Sequence, residues 1–496
     1  MPGLEKARHL GLSDRLRAQL SPPLLPDLPA QIAVAGAAAT CYRMAMQSTD
    51  RPAVALISLG CPKNLVDSEV MLGLLNRAGF PIVQDVADAD VAIVNTCAFI
   101  EPAQEEAVDA LLDLAEMKAE GSLRAIVCTG CLPQRYGPQL HTELPEIDIF
   151  VQIGAETSIV EAVEAAAKGQ QRFLEGSGNY GLTCDLPRWR SDPQWLSYIR
   201  IADGCDHRCS FCTIPAIRGP YQSRRPQDIV SEYRRLVDEG VQELVLIAQD
   251  TTAYGHDLPG DVDLTGLLKA LGSVEFDGWL RLMYAYPARV DARLLQAMAD
   301  MPAMVPYLEV PLQHVSQPIL KAMRRPGDAE SYLQMLAMAR QFMPALAVRT
   351  TFLLGFPGET DRDFELLLDF VAEACFDRVS AFAFSPEEGT PAAEMPGQVS
   401  VREALDRMEE LMRVQETISL ERNRALVGRE IQVLVESELP DEQIWLARSW
   451  RDAPEVDCQV KVEVVAGAPL PRIGRFAQVR ITGAETHDLQ AQLIHL

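Results

Sequence analysis

Three cysteines in one short segment carry the clearest chemical signal in the sequence. Cys205, Cys209 and Cys212 follow a strand-like stretch, 195–202, with the spacing Cys-x3-Cys-x2-Cys. Three thiolates this close can bind three irons of a [4Fe-4S] cluster and leave the fourth iron open. A structural zinc site is the alternative, but it needs a fourth ligand, and His207 lies inside the loop, where it is poorly placed to complete a tetrahedron. The spacing therefore favours a cluster with one open iron.

A second set, Cys61, Cys97 and Cys131, lies in a region where strand and helix patterns alternate. Such alternation predicts a parallel sheet with crossover helices. Each cysteine follows the carboxyl end of a predicted strand; the strands are 54–58, 91–95 and 125–129. These ends share one edge of an open α/β sheet, where ligands bind, so we expect the three thiols to converge. Turn residues beside each cysteine favour ligation over the alternative, buried core thiols.

Composition indicates a soluble, globular, multidomain protein. The chain has 496 residues, 48% hydrophobic and 23% charged, and no apolar run is long enough to span a bilayer. Its eleven cysteines lack the spacing of a disulfide scaffold, which indicates a reducing compartment and a cytoplasmic location. A formal net charge of -25 opposes non-specific binding to nucleic acid and favours a basic partner. Outside the two sets, Cys41 lies near the N-terminus, and four cysteines are interpreted as core thiols: Cys128, Cys184, Cys375 and Cys458.

The order of strands, helices and turns predicts an α/β multidomain fold. Six strands alternate with helices after Trp195, which predicts a partial (β/α)6 barrel, an incomplete version of the eightfold barrel with reactive groups at the carboxyl ends of its strands. The Cys205 loop follows the first of them. The predicted segments are a disordered extension (1–50), an N-terminal open α/β sheet domain (51–170), a linker (171–194), the barrel with a trailing helix (195–425) and a small C-terminal β-barrel (426–496).

Four motifs together resemble the radical S-adenosylmethionine (SAM) methylthiotransferase family, from about residue 53 to the end. They are the segments 58–69, 95–100 and 130–136 and the Cys205 loop, with Phe211 before its last cysteine. The resemblance implies two [4Fe-4S] clusters. Cys205, Cys209 and Cys212 would hold the cluster that cleaves SAM to a radical, and the second set would hold an auxiliary cluster that donates or relays sulfur. One SAM would methylate that sulfur and a second would supply the radical, while the C-terminal barrel would be a TRAM domain that docks the substrate.

Single polar or glycine positions in the barrel are weaker candidates for binding SAM. Gly355 and Gly358 lie in a segment, 351–360, that resembles the family's adenosine-binding stretch, although a plain strand-ending turn is the favoured explanation when the segment is taken alone. Gln249 ends another strand, where a polar side chain lines either the barrel mouth or a surface loop. His314 also follows a strand, and we interpret it as a hydrogen-bonded scaffold residue and not as catalytic.

Two branches of the family differ in substrate: an isopentenyl-adenosine in tRNA, or the β-carbon of an aspartate in ribosomal protein twelve of the small subunit. The amino-acid sequences of four segments resemble those of the ribosomal branch: 58–69, 214–219, 311–314 and 323–327. Residues 425–496 contain seven Lys or Arg and eleven Asp or Glu, which suits a basic ribosomal protein, free or in the subunit, and not tRNA. An acidic surface that only aids solubility is the alternative. A reductant protein and a sulfur source are also implied.

Two functions of other classes stay open. An iron-sulfur carrier would use the same cysteines, but it needs neither a SAM-sized barrel nor a docking domain. A nucleic-acid-binding module built on the terminal barrel predicts tight, salt-dependent RNA binding, which the acidic composition disfavours.

Overall fold

The computed structural model describes residues 51–176, 183, 185–191, 193–439, 443–465 and 469–496. The predicted extension, 1–50, lies outside the described residues, as do Cys41 and Cys184. The chain divides into two compact units. Of the described residues, the first unit holds 51–98, 102–176 and 186–189, and the second holds 99–101, 183, 185 and those from Arg190 onward. Within the described ranges no helix combines the length and apolarity needed to cross a membrane.

The first unit is built on a parallel five-stranded sheet in the order β1 to β5. Its strands are β1 (Val54–Ser58), β2 (Val91–Thr96), β3 (Ala125–Gly130), β4 (Ile149–Val151) and β5 (Arg172–Leu174). Its helices are α1 (Pro62–Arg77), α2 (Glu101–Ala119), α3 (Cys131–Tyr136), α4 (Leu140–Glu143) and α5 (Ile159–Ala167). Every residue of β2 and β3 is buried, as expected for central parallel strands covered on both faces. Strand β5 lies within the segment predicted as a linker and pairs with β4, so the sheet extends beyond residue 170.

The second unit begins with six parallel strands that form a half-barrel. They are β6 (Leu196–Arg200), β9 (Glu243–Ile247), β10 (Trp279–Leu282), β11 (Tyr307–Glu309), β12 (Ala347–Leu354) and β13 (Arg378–Ala383). Two three-stranded sheets, β10-β9-β6 and β11-β12-β13, meet at a parallel bridge between Leu280 and Met304. A small hairpin of β7 (Ala202–Asp203) and β8 (Gln222–Ser223) flanks the first strand. The predicted six-stranded partial barrel is confirmed, and all its strands present their carboxyl ends on one side.

Helices follow the barrel strands and bury one face against them. They are α6 (Ile214–Arg218), α7 (Pro226–Asp238), α8 (Leu264–Leu271), α9 (Ala292–Ala299), α10 (Gln317–Ala322), α11 (Ala329–Phe342), α12 (Asp361–Ala374) and α13 (Val401–Arg424). Helix α12 starts at a capping box in which the Thr360 and Asp363 side chains each accept the other residue's backbone N–H. This capping explains why polar residues stand between the end of β12 and the helix. Helix α13 packs on the barrel as the charged pattern predicts, because its apolar face includes the buried Leu411 and Ile418.

The C-terminal region is a closed five-stranded barrel in the order β14-β15-β16-β18-β17. Its strands are β14 (Glu430–Leu439), β15 (Ile444–Ser449), β16 (Val460–Glu463), β17 (Phe476–Ala484) and β18 (Leu489–His495). Buried residues alternate with exposed ones along β17, as a barrel with one core face requires. Strand β15 is absent from the sequence prediction.

The connection between β15 and β16 enters the amino-terminal end of the half-barrel. There it meets polar and charged residues from the first three positions of five barrel strands, and the side chains of both sets are almost fully buried. We call this group the floor network: Glu243, Arg281, Tyr307, Arg349, Arg378, Arg448, Asp452 and Asp457. Its contacts include Glu243 Oε2 to Arg448 Nη2 at 2.6 Å and Arg378 Nη2 to Asp452 Oδ1 at 2.6 Å. The C-terminal barrel therefore closes the end of the half-barrel opposite the Cys205 loop.

Candidate active site

The Cys205 loop follows β7 at the carboxyl ends of the barrel strands and is held by Ser210. The Ser210 N–H donates to the Met323 carbonyl at 3.1 Å, and its hydroxyl donates to the Ala322 carbonyl at 2.7 Å. The Ser210 carbonyl accepts from the Ala392 N–H at 2.9 Å. Three bonds to two separate segments thus fix the middle of the loop, between the second and third cysteines.

The three thiols of the loop lie close enough to influence one another's ionisation. Burial, together with the neighbouring Cys209 thiol, raises the pKa of Cys205 to about 11 and that of Cys212 to about 12. The free thiols of Cys205 and Cys212 are therefore neutral near pH 7, and a bound cation is needed to stabilise their thiolates. This donor set fits a [4Fe-4S] cluster, in which three thiolates bind three different irons.

His207, the alternative fourth ligand, is turned toward Asp250. Its Nε2 lies 2.7 Å from Asp250 Oδ2, and its ring stacks on Tyr286 with centroids 3.8 Å apart. Among the residues that the structure describes, no three His, Cys, Asp or Glu side chains are grouped to hold a single metal ion. His207 thus already has partners of its own, which disfavours it as the fourth ligand of a zinc site.

Gln249 and the glycines predicted to bind SAM have partners of their own. Gln249 donates from Nε2 to Asp203 Oδ1 at 2.8 Å, while its Oε1 is buried without a partner among the described residues. A Cβ on Gly355 would lie 2.4 Å from Ala404 Cβ, so glycine is required there for α13 to pack. Gly358 has a positive φ of 84° and open space around it. A role for these three residues in binding SAM stays a prediction.

His314 is a scaffold residue, as the sequence analysis predicts. It is fully buried, and its Nδ1 accepts the backbone N–H groups of Val315 and Ser316, each at 2.9 Å. Burial lowers the pKa of His314 to about 4, so the ring is neutral near pH 7. Glu359 holds the adjacent turn by accepting the Gly355 N–H at 2.9 Å.

The loops that carry Cys61, Cys97 and Cys131 meet around one buried side chain, Asn64. Its Nδ2 donates to the carbonyls of Leu59 and Thr96, each at 3.0 Å, and its Oδ1 lies 4.0 Å from Cys131 Sγ. These partners lie at the carboxyl ends of three different strands. Asn64 therefore joins the ends of β1, β2 and β3, and these contacts support the expected convergence of the three cysteines.

Two glycines let the same loops approach each other closely. Gly60 has a positive φ of 90°, and a Cβ there would lie 2.6 Å from Cys97 Cβ and 3.1 Å from its Sγ. Gly130, with φ of 92°, would place a Cβ 2.3 Å from Asn95 Oδ1. Each glycine directly precedes a cysteine of the set, so its lack of a side chain is what brings the thiol loops together.

The cysteines outside the two sets do not share this setting. Cys128 is fully buried inside β3, where burial raises its pKa well above the ordinary range. Cys375 ends α12 in a left-handed conformation with φ of 49°, and both it and Cys458 are half-buried.

Sequence reasoning missed the residues that position the cysteines. Asn64 lies three residues after Cys61, at a helical spacing that places it near the same helix end, and this was a usable signal. Ser210 and Tyr286 carry no such signal, because their partners are distant in the sequence.

Three family models match the chain: Uncharacterized protein family UPF0004 over residues 53–152, Radical SAM superfamily over 199–371 and TRAM domain over 427–494. Together they cover four of the five strands of the α/β sheet, most of the half-barrel and nearly all of the C-terminal barrel described above.

Curated relatives match almost the whole chain. A protein of Pelobacter propionicus is 44% identical over 450 residues, which are 90% of this chain and 99% of the relative. A protein of Pelotomaculum thermopropionicum is 46% identical over 442 residues, 89% of this chain and 99% of the relative. One of Myxococcus xanthus is 42% identical over 450 residues, 90% of this chain and 93% of the relative. All three bear the name "Ribosomal protein uS12 methylthiotransferase RimO".

Solved structures share the fold at low sequence identity. The radical SAM methyltransferase TsrM from Kitasatospora setae superposes with a TM-score of 0.52 at 16% identity, covering 69% of this chain and 77% of that one. The cobalamin-dependent radical enzyme OxsB gives a TM-score of 0.50 at 11% identity, covering 74% and 58%. These likenesses support the arrangement of the elements and nothing finer.

Proposed function

From the premise that this chain belongs to the family of ribosomal protein uS12 methylthiotransferases, we propose that it transfers a methylthio group to the β-carbon of an aspartate in that ribosomal protein. The chain is a radical SAM enzyme of the methylthiotransferase type. The observation that supports the proposal best is the setting of its two cysteine sets. One lies on a loop at the carboxyl ends of the half-barrel, and the other lies at the carboxyl edge of the α/β sheet.

We assign the SAM cluster to Cys205, Cys209 and Cys212. When bound, a [4Fe-4S] cluster with SAM on its open iron supplies a one-electron cleavage that yields a radical able to abstract hydrogen. The protein's part is to place the loop and to exclude water. Ser210 fixes the loop, the Phe211 ring contacts Phe356 at a centroid distance of 6.4 Å, and the floor network closes the far end of the barrel. A dry, enclosed site limits side reactions of a radical.

We assign a second, auxiliary [4Fe-4S] cluster to Cys61, Cys97 and Cys131, with a role in donating or relaying sulfur. The feature that supports this assignment is the buried side-chain amide of Asn64, at which the three cysteine-bearing segments meet. A set of three cysteines again leaves one iron open, which is the position that a transferable sulfur requires. Two uses of SAM follow for this chain: methylation of that sulfur, and formation of the radical. Gly355, Gly358 and Gln249 stay candidates for SAM contacts.

We propose a basic ribosomal protein, free or in the subunit, as the docking partner and expect no direct tRNA substrate. The C-terminal barrel region carries seven basic and eleven acidic residues. Arg448, Arg451 and Asp452 are buried, and the Asp457 side chain is only 1% exposed, so the excess of acidic residues remains on the rest of the domain. Acidic surface attracts a basic protein and repels a phosphate backbone. A reductant protein and a sulfur source complete the proposal, and the cytoplasm, where thiols stay reduced, is the proposed compartment.

Anaerobic reconstitution with iron and sulfide tests the proposal. SAM and dithionite are added, uS12 and tRNA are offered in parallel, and both are followed by mass spectrometry. We expect the mass gain of one methylthio group on a uS12 aspartate. The matched variants are Cys209→Ser, which should abolish SAM cleavage, and Cys375→Ser, which should leave it unchanged because Cys375 lies at the end of α12. Modification of tRNA instead would overturn the substrate, and intact clusters without SAM cleavage would indicate a carrier.

A further inference from the structure

Arg325 is an arginine beside the Cys205 loop that the reaction described above does not use. It lies just after α10, and its Nη1 is 3.6 Å from Cys209 Sγ. Its Nη2 donates to the Pro311 carbonyl at 2.7 Å, which fixes the plane of the guanidinium. Its Nε is buried and has no hydrogen-bond partner among the described residues. One guanidinium therefore contacts a cysteine of the loop while retaining an unused buried donor.

The guanidinium is held in place by an aromatic stack that begins inside the cysteine loop. The Arg325 guanidinium carbon lies 4.7 Å from the centre of the Tyr286 ring. Tyr286 stacks in turn on His207, which Asp250 anchors. A cation over an aromatic face is attracted by the ring, and stacking on both sides leaves Tyr286 little freedom. Because His207 lies between Cys205 and Cys209, the same stack positions both the loop and the cation.

We propose that Arg325 is a positioning residue that sets the reduction potential of the SAM cluster, by placing a permanent positive charge and N–H donors at the Cys209 sulfur. This inference rests on the proposed function, since it requires a cluster on Cys205, Cys209 and Cys212. Hydrogen bonds to the sulfurs and nearby charge are known determinants of iron-sulfur potentials. A cation beside a ligand sulfur stabilises the more negative, reduced cluster, and low solvent access strengthens the effect. Arg325 therefore makes the cluster easier to reduce.

The adjacent Arg324 offers a matched control. It has the same side chain, but it is exposed. The test uses the full chain with Cys61, Cys97 and Cys131 replaced by Ser, so that the SAM cluster is the only one expected. Arg325→Gln, Arg325→Lys and Arg324→Gln are compared by iron and sulfide content and by a redox titration of the reduced-cluster electron paramagnetic resonance signal without SAM. SAM affinity is measured separately by equilibrium binding.

We expect a midpoint potential more negative in Arg325→Gln than in Arg324→Gln, with an altered resonance signal and equal iron content. Arg325→Lys should lie between them, because it keeps the charge but loses the planar fork of donors. If Arg325→Gln does not retain iron, the midpoint potential of Arg325→Lys is compared with that of Arg324→Gln instead. A midpoint equal to that of Arg324→Gln would overturn the inference, and so would weaker SAM binding at an unchanged midpoint, which would make Arg325 a SAM ligand. If even the parent binds no redox-active cluster, the proposed function fails first.

Discussion

Replacing Gly60 by alanine probes whether the cysteine loops of the first unit must touch. Gly60 has a φ of 90°, and an added Cβ would lie 2.6 Å from Cys97 Cβ, so backbone or side chain must shift. Gly79, at the other end of α1, has a φ of 83° and nothing within 4 Å of the added Cβ. Both substitutions impose the same left-handed penalty. Only Gly60→Ala also forces two chain segments apart.

The difference between the two variants follows from these contacts. A non-glycine residue in the left-handed region costs about 1–2 kcal/mol, and this term is common to both. Overpacking against a buried neighbour adds about 1–3 kcal/mol, and this term applies to Gly60→Ala alone. The local stability of the sheet edge should therefore be lower in Gly60→Ala than in Gly79→Ala by about 1–3 kcal/mol, or about 5- to 150-fold in the opening equilibrium.

Two measurements check this expectation on the full chain. Hydrogen–deuterium exchange, read on peptides from β1 to β3, reports the local opening free energy. Iron and sulfide content is then measured with Cys205, Cys209 and Cys212 replaced by Ser, so that the auxiliary site is read alone. We expect Gly79→Ala to load iron as the parent does and Gly60→Ala to lose most of it. Equal exchange and equal iron in the two variants would refute the claim that close approach of the loops forms the site.

Three further outcomes are expected from buried polar groups. Asn64→Ala should remove auxiliary iron and destabilise the first unit by about 1–3 kcal/mol, because two buried carbonyls lose their donor; iron content and hydrogen exchange measure both. Asp452→Ala should destabilise the second unit by about 3–5 kcal/mol by leaving Arg378 buried without its partner, as calorimetry of the full chain would show. Burial alone would raise the pKa of Asp377, but Arg451 above all outweighs it, so the pKa lies below the ordinary 3.8. The stabilisation is therefore present above the unfolded pKa and is lost as pH falls through the lowered folded value, and Asp377→Asn should flatten the acid side of a urea-midpoint profile.

Long elements with a strong pattern were predictable from the sequence, and short ones were not. Strand β1 and helix α13 lie where the sequence analysis placed them, the helix beginning at the cap formed by Ser400. The three-residue strands β4 and β5 are too short to show a hydrophobic period in the sequence. They form because neighbouring strands offer them hydrogen-bonding partners. The sequence pattern predicts a helix over 66–77, whereas α1 begins earlier, at Pro62, because proline is well accepted in the first turn.

The sequence indicates the candidate ligands of the site, but not the residues that hold those ligands in position. Cysteine spacing and the strand ends point to the two triads without any knowledge of contacts. The Thr96 carbonyl that Asn64 binds is 32 residues away, and the sulfur that Arg325 contacts is 116 residues away. Such pairs are fixed only when the chain folds, so a single sequence does not reveal them.

The floor network also bears on how the chain is made. Synthesis runs from the N-terminus, and the barrel strands that carry Glu243 and Arg378 leave the ribosome well before Asp452 does. Until then these charged groups face water at an open barrel end. A chain that ends before Asp452 contains all six cysteines of both sets, but it lacks the residues that close the amino-terminal end of the half-barrel to water. We therefore expect this end of the half-barrel to be closed only once synthesis of the last domain is complete, which would shield a radical from water.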